Sequence, residues 1–254
     1  MSLPDVFRAI PFAHRGYHDR AQGRIENSLA AAEAAIDVGY GIECDVQLTS
    51  DGQAVVFHDY DMKRLTGLLG AIQSRTLADA QKTTLSGSDE TIPSLTALLN
   101  LVAGRVPLLI EVKDQDGAMG PNVGRLEAAT TKALQGYKGP VAVMSFNPHS
   151  VAECAKLAPD VPRGLTTSAY HAKDWGPLPA SVRDRLRDIP DYDRVGASFI
   201  SHEAKDLHRP RVADLKAQAA AILCWTIRSP EAETEARKVA DNITFEGYAA
   251  RMSR

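Results

Sequence analysis

The sequence predicts one α/β domain folded as a closed (β/α)8 TIM barrel, and three observations predict it. Short apolar runs alternate with helix-period patterns along the chain, the rhythm of parallel strands joined by helical crossovers. Eight such runs fit in 254 residues, an ordinary length for a barrel built as one unit. Charged side chains interrupt several runs at or near their C-terminal ends, where such barrels gather their chemistry.

Taken in order, strands are expected near 9–14, 41–48, 107–113, 141–146, 163–167, 195–200, 221–227 and 242–246. Helical patterns lie between most of them, at 27–38, 94–103, 123–136, 149–157, 179–187, 210–219 and 229–240. Only eight residues follow position 246, too few for an eighth full helix. Residues 49–93 break the rhythm between strand 2 and helix 2. A turn at Ser50-Asp51-Gly52 leads into an extra strand at 54–58, and "LSGSDETIP" is loop-like. Roughly 60–92 therefore reads as a small insertion over one end of a single domain spanning 1–254.

Composition narrows the partners. Apolar residues make up 44% and charged residues 24%, enough for a large core in an ordinary globular protein. The formal net charge is −3 with no basic run, which argues against nucleic acid. No stretch approaches the apolar length of a transmembrane helix. The first residues lack the basic and apolar regions of a signal peptide. Cys44, Cys154 and Cys224 are scattered and form no CxxC, so reduced thiols in a cytoplasmic protein are expected. A barrel of this size suits a monomer or a homodimer.

Strand side chains alternate between faces. In "GIECDVQLT" one face carries Ile42, Cys44, Val46 and Leu48, and the other carries Glu43, Asp45, Gln47 and Thr49. In "PLLIEVKD" Leu109, Glu111 and Lys113 share a face in the same way. A barrel strand is buried on both faces and ordinarily apolar throughout. Carboxylates on its inner face lose hydration and repel one another, so they need a cation. Glu43, Asp45 and Glu111 offer only oxygen ligands, which suits one hard divalent ion, Mg²⁺ or Ca²⁺. Ordinary surface charge on an edge strand is the competing reading, and the apolar flanks argue against it.

Other chemistry ends the strands nearby. His14-Arg15 closes strand 1 and His58-Asp59 closes the extra strand. Two imidazoles, a metal cluster and the cations Arg15 and Lys113 form the set that phosphoryl transfer requires. The metal and cations neutralise phosphate oxygens, while one His removes a proton and the other donates one. Trp225, near the end of strand 7, either stacks on an apolar part of the substrate or packs under a rim loop. Phe146 has the same ambiguity and leans towards core. His18, His149, His171, His202 and His208 sit in loop-like contexts and are expected to be solvated. Cys44 is expected to face away from the ligands and pack.

At these residues the sequence resembles the glycerophosphodiester phosphodiesterase family. "AHRG" at 13–16, "ENS" at 26–28, "ECDVQLTSDGQAVVFHD" at 43–59, "IPSLTALL" at 92–99 and "IEVK" at 110–113 follow that family's motifs in order. The match is dense over 13–113. It departs at "ITFEGY", 243–248, where the family usually has Thr-Asp-x-Pro, and at Ile227-Arg228 after Trp225-Thr226. Those departures bear on the far wall of the pocket, and the metal and acid–base set is expected to be intact.

The resemblance implies metal-dependent cleavage of a small-molecule glycerophosphodiester to glycerol 3-phosphate and an alcohol, in glycerophospholipid turnover. It implies Glu43, Asp45 and Glu111 as metal ligands, His14 and His58 as the acid–base pair, and Arg15 and Lys113 as phosphate binders. Glu26 and Asn27 would touch the metal or the glycerol. Attack by the neighbouring glycerol hydroxyl, through a cyclic intermediate, and attack by water both fit. A lysophospholipase D-like or sphingomyelinase D-like enzyme would need an apolar funnel, for which "LTGLLGAI" at 65–72 is the candidate, against the insertion's own small core. An inactive phosphoester-binding barrel would be expected to have lost a His or a carboxylate, and none is missing.

Overall fold

A computed structural model describes residues 2–252 of the chain. Its strands are β1 (Phe12–Ala13), β2 (Gly41–Leu48), β3 (Ala54–Val56), β4 (Leu108–Val112), β5 (Val141–Ser145), β6 (Arg163–Thr167), β7 (Phe199–Glu203), β8 (Ala221–Ile227) and β9 (Asn242–Phe245). Pairing runs β1-β9-β8-β7-β6-β5-β4-β2, and β1 also pairs with β2, so eight parallel strands close into a barrel. β3 folds back antiparallel on the last residues of β2. The crossover helices begin on side-chain caps. Ser28, Ser94, Asn147 and Ser229 each accept a backbone N–H in the first turn that follows. Among the described residues no helix is long and apolar enough to cross a membrane.

The bottom of the barrel is filled by Leu109, Ala142, Met144, Phe199, Ala221 and Leu223, with Phe7 and Phe12 beneath. Here the structure corrects the expected strand 9–14. Pro11 has no N–H for a ladder, so β1 keeps only two residues. The chain before it is instead a helical turn, Val6–Ala9. That turn plugs the barrel: Phe7 is fully buried and its ring lies 5.6 Å from that of Phe12. Asn242 Nδ2 donates to the carbonyls of Phe7 (2.8 Å) and Ile10 (2.6 Å), fixing the plug to β9. Burying a Phe side chain contributes about 1.5–3 kcal/mol.

The expected strand 195–200 is shifted to Phe199–Glu203. Val195 is buried, but it belongs to a turn in which its N–H bonds Asp191 O and Gly196 takes φ +60°. A buried turn and a buried strand look alike in an apolar run. One consequence corrects the reading of His202 as solvated. It lies on β7, fully buried, between Thr167 Oγ1 (2.8 Å) and Asp206 Oδ2 (3.2 Å).

The segment between β3 and the helix Leu95–Val102 holds two short helices, Lys63–Thr66 and Leu77–Ala80. Its core of Phe57, Met62, Leu65, Ile72, Leu85 and Ile92 also takes in Ile25 and Val55. Leu65 and Ile72 are therefore core, while Leu68 and Leu69 stay exposed.

Gly164 of β6 stands beside Phe199 of β7. A Cβ there would come within 2.4 Å of the Phe199 ring. Gly164→Ala is expected to lower stability by about 1–3 kcal/mol, the scale of overpacking a filled core. A fall in the urea midpoint would show it, and an unchanged midpoint would mean the layer is loosely filled.

Candidate active site

Strand register assembles the site. Asp45 of β2 stands beside Glu111 of β4, and Ala13 of β1 stands beside Ile42 of β2 and Phe245 of β9. One residue further along, His14 meets Glu43 on one side and Glu246 on the other. His14 Nε2 is 4.0 Å from Glu43 Oε2, and His14 Nδ1 is 2.5 Å from Glu246 Oε2.

Glu43, Asp45 and Glu111 are all buried, and each offers an oxygen within 4.8 Å of the others. Lys113 Nζ lies 2.8 Å from Glu111 Oε1 and 3.2 Å from Asp45 Oδ1. Arg15 donates its backbone N–H to Glu43 Oε2 (3.0 Å), and its Nε is 3.4 Å from Asp45 Oδ2. Three carboxylates thus face two cations. Burial, with Asp45 and Glu111 adding repulsion, pushes the Glu43 carboxyl well above its ordinary range. Burial works the same way on Asp45, but Lys113, His58 and Arg15 outweigh it and hold that carboxyl low. Lys113 loses hydration, and the carboxylates around it still raise its pKa above the ordinary value. A compact, all-oxygen, charge-deficient donor set fits a hard divalent cation, so the residues present match the ion expected of them.

The connection after β1 is locked to itself and to β2. Arg15 (φ +57°) and Asn27 (φ +60°) both occupy the left-handed region, which is unfavourable for side chains other than glycine. Asn27 N–H bonds Arg15 O at 2.8 Å, and its carboxamide bonds Asp45 twice, Nδ2 to Oδ2 (2.9 Å) and Asp45 N–H to Oδ1 (3.2 Å). Next to Arg15, Gly16 has φ +80°, and a Cβ there would meet the Ala31 backbone at 2.9 Å. This explains the final glycine of "AHRG". Asn27 does not line the cavity. Its side chain is committed to orienting Asp45.

Each imidazole is held by a carboxylate at Nδ1: His14 by Glu246, and His58 by Asp59 Oδ1 at 2.7 Å. Burial pulls the His14 pKa below the ordinary value, which the contact with Glu246 only partly offsets. His14 and His18 in turn hold the Glu246 carboxyl well below its usual range. His18, expected to be solvated, is half-buried with Nε2 3.6 Å from Glu246 Oε2. Asp59 stands out in the sequence only as the neighbour of His58 at a strand end, and Glu246 only as part of a motif departure. The motif departure at "ITFEGY" reaches the acid–base set after all, because it supplies Glu246. Alternation gave a signal for it: Asn242, Thr244 and Glu246 share the inward face of β9, as Glu43 and Asp45 share that of β2.

A cavity of about 970 Å³ opens over these groups. His14, Arg15, Glu43, Asp45, His58, Glu111 and Lys113 line it, together with the apolar side chains Met144, Phe146, Trp175 and Trp225. Trp225 Nε1 donates to Ser201 O at 2.9 Å, and Phe146 stands edge-on to its ring at 5.5 Å. The indole is thus fixed on the apolar wall. Phe146, expected to lean towards the core, is half-buried and lines the cavity. Cys44 turns away into the outer core, as alternation requires.

Comparison with known proteins bears on this geometry. A model of the glycerophosphoryl diester phosphodiesterase family matches residues 14–243. The uncharacterized protein YqiK of Bacillus subtilis (strain 168) is 37% identical over 188 residues, covering 67% of this chain and 72% of that protein. The glycerophosphodiester phosphodiesterase of Caldanaerobacter subterraneus subsp. tengcongensis is 30% identical over 178 residues, 66% of this chain and 70% of that one. Among solved structures, an Oleispira antarctica phosphodiesterase in complex with its product sn-glycerol-3-phosphate superposes with a TM-score of 0.73 at 25% identity, covering 92% and 91% of the two chains.

Proposed function

The chain belongs to the glycerophosphoryl diester phosphodiesterase family, and on that premise we propose that it hydrolyses small glycerophosphodiesters to glycerol 3-phosphate and an alcohol. The observation that carries this reading is the juxtaposition of the buried carboxylate triad with two carboxylate-held imidazoles in one cavity.

Glu43, Asp45 and Glu111 would hold one divalent ion, Mg²⁺ or Ca²⁺, and when bound it neutralises charge building on the phosphoryl oxygens. Arg15 and Lys113 bind and orient the phosphate. Arg15 lines the cavity with its guanidinium set between Glu26 (Nη1 to Oε1, 2.6 Å) and Asp45 (Nε to Oδ2, 3.4 Å), which fixes the charge beside the carboxylate triad. Of the two imidazoles, one takes the proton from the attacking hydroxyl, that of water or of the neighbouring glycerol carbon. The other gives a proton to the leaving alcohol oxygen, and where the glycerol hydroxyl has attacked, water then opens the cyclic phosphate to glycerol 3-phosphate. Glu246 and Asp59 hold the rings so that each Nε2 is free for this exchange. Trp225 supports the carbon skeleton of the substrate. Three unpaired, buried cysteines support a reducing compartment such as the cytoplasm.

Glu246→Gln should lower kcat by roughly tenfold or more, but by less than loss of the His14 ring, because it removes the anchor and spares the imidazole. An unchanged kcat would show that His14 needs no anchor.

The substrate class is tested by comparing glycerophosphocholine and glycerophosphoethanolamine with lysophosphatidylcholine, at equal concentration and with added metal. Release of glycerol 3-phosphate from the first two, well above any lysophosphatidic acid from the third, is expected. The reverse preference would favour the lysophospholipase D-like reading. Cleavage of none would favour an inactive phosphoester-binding barrel.

A further inference from the structure

One side chain of the insertion is hydrogen-bonded to both carboxylates that hold catalytic groups. Arg64, on the short helix Lys63–Thr66, donates Nε to Asp59 Oδ2 (2.6 Å) and Nη2 to Asp59 Oδ1 (2.8 Å). With its other edge it donates Nη1 to Glu26 Oε2 (2.7 Å) and Nη2 to Glu26 Oε1 (2.8 Å). Asp59 holds His58 Nδ1, and Glu26 Oε1 accepts from Arg15 Nη1 at 2.6 Å. An unbroken chain of charged hydrogen bonds thus runs His58–Asp59–Arg64–Glu26–Arg15. It joins the two ends of the connection between β1 and the helix Leu29–Val38, the residues that follow β3, and the insertion.

We propose that Arg64 is a positioning residue for the phosphodiester reaction, holding the carboxylates of Asp59 and Glu26 so that His58 and Arg15 face the phosphate in one fixed arrangement. The inference rests on the function proposed above. Its physical basis is the guanidinium fork. A planar Arg can grip two carboxylates bidentately at once, which sets direction as well as distance, and an ammonium cannot. Without the fork, Glu26 and Asp59 are two neighbouring anions with no common partner. Arg15 and the His58 ring would then each lose a fixed counter-group. Because the Arg64 side chain is 48% exposed, the pairs add little to folding stability. Its effect should therefore appear in catalysis. Burial alone would raise the Glu26 pKa, but Arg64 and Arg15 hold it down to about 2, so the carboxylate is ionised throughout the working range.

The test uses Arg64→Ala and Arg64→Lys in the full chain with metal present. Arg64→Ala is expected to lower kcat on glycerophosphocholine by about 10- to 100-fold, the scale of misplacing a reacting group by about 1 Å. The melting temperature should barely move. Added guanidinium ion should restore much of the loss, and sodium chloride at the same ionic strength should not. Arg64→Lys keeps the charge without the fork and is expected to stay well below wild type. A kcat for Arg64→Ala within about twofold of wild type, rescue no better than with sodium chloride, or a fully active Arg64→Lys would each overturn the proposal. If wild type cleaves no glycerophosphodiester at all, it is the functional reading that fails. The ¹⁵N NMR signature of the His58 ring, assigned with His58→Gln, then still decides the role of Arg64. An altered His58 tautomer balance in Arg64→Ala supports positioning, and an unchanged one overturns it.

Discussion

His14→Ala and His58→Ala are each expected to lower kcat by at least ~10²-fold, the usual size of a general acid–base contribution. The geometry makes the two losses comparable. Both rings carry a carboxylate at Nδ1 and leave Nε2 for the cavity, one on the β1–β9 side and one at the end of the strand folded on β2. Neither ring is a structural plug. Their side chains are 13% and 30% exposed, so truncation leaves a space that water can fill and the fold should survive. Loss of rate with unchanged melting is therefore the expected pattern, and KM should move less than kcat, since the proposed phosphate binders are Arg15 and Lys113. Near-normal kcat in either variant would remove that residue from the mechanism.

Glu43→Gln should separate activity from stability in opposite directions. In the proposed reaction the ion held by the triad would supply transition-state neutralisation worth several kcal/mol, and at about 1.4 kcal/mol per tenfold its loss would cost ~10²-fold or more. In the metal-free protein, however, the Glu43 carboxylate is held in an unfavourable setting. Burial and its two anionic neighbours act against its charge, and Arg15 offsets this only in part. Gln keeps the shape and removes one charge from a cluster of three anions facing two cations. With chelator present, Glu43→Gln is expected to melt above wild type. With Mg²⁺ or Ca²⁺ added, wild type should gain more than the variant, because a ligand stabilises in proportion to its binding to the folded state. A variant that melts lower than wild type without metal would mean that the triad is already satisfied by its own cations.

Much of this site could be read from alternation alone. Glu43, Asp45 and Glu111 are conspicuous because a barrel strand should be apolar on both faces, and the register Asp45–Glu111 then brings them together. His14 and His58 stand out because buried runs end on them. What could not be read depends on contacts between distant parts of the chain. Glu246 meets His14 across 232 residues, and only closure of β9 onto β1 joins them. Arg64 matters because the insertion folds its helix back over the loop carrying Glu26, and nothing in "MKRLTG" reports that. Asn27 lies in a motif that implied substrate contact, whereas its amide is consumed by Asp45. β7 slid along the chain because Val195 is buried in a turn, and His202 was misplaced with it.

The central claim is tested most directly by release of glycerol 3-phosphate from glycerophosphocholine by chelator-stripped protein, titrated with Mg²⁺ and with Ca²⁺ while ion binding is followed by calorimetry. No release is expected without metal, and release should rise with occupancy of a single site per chain for at least one of the two ions. Glu43→Gln is expected to lose both the heat of binding and the product. Full turnover in chelator, or metal-dependent turnover that survives Glu43→Gln unchanged, would contradict that claim.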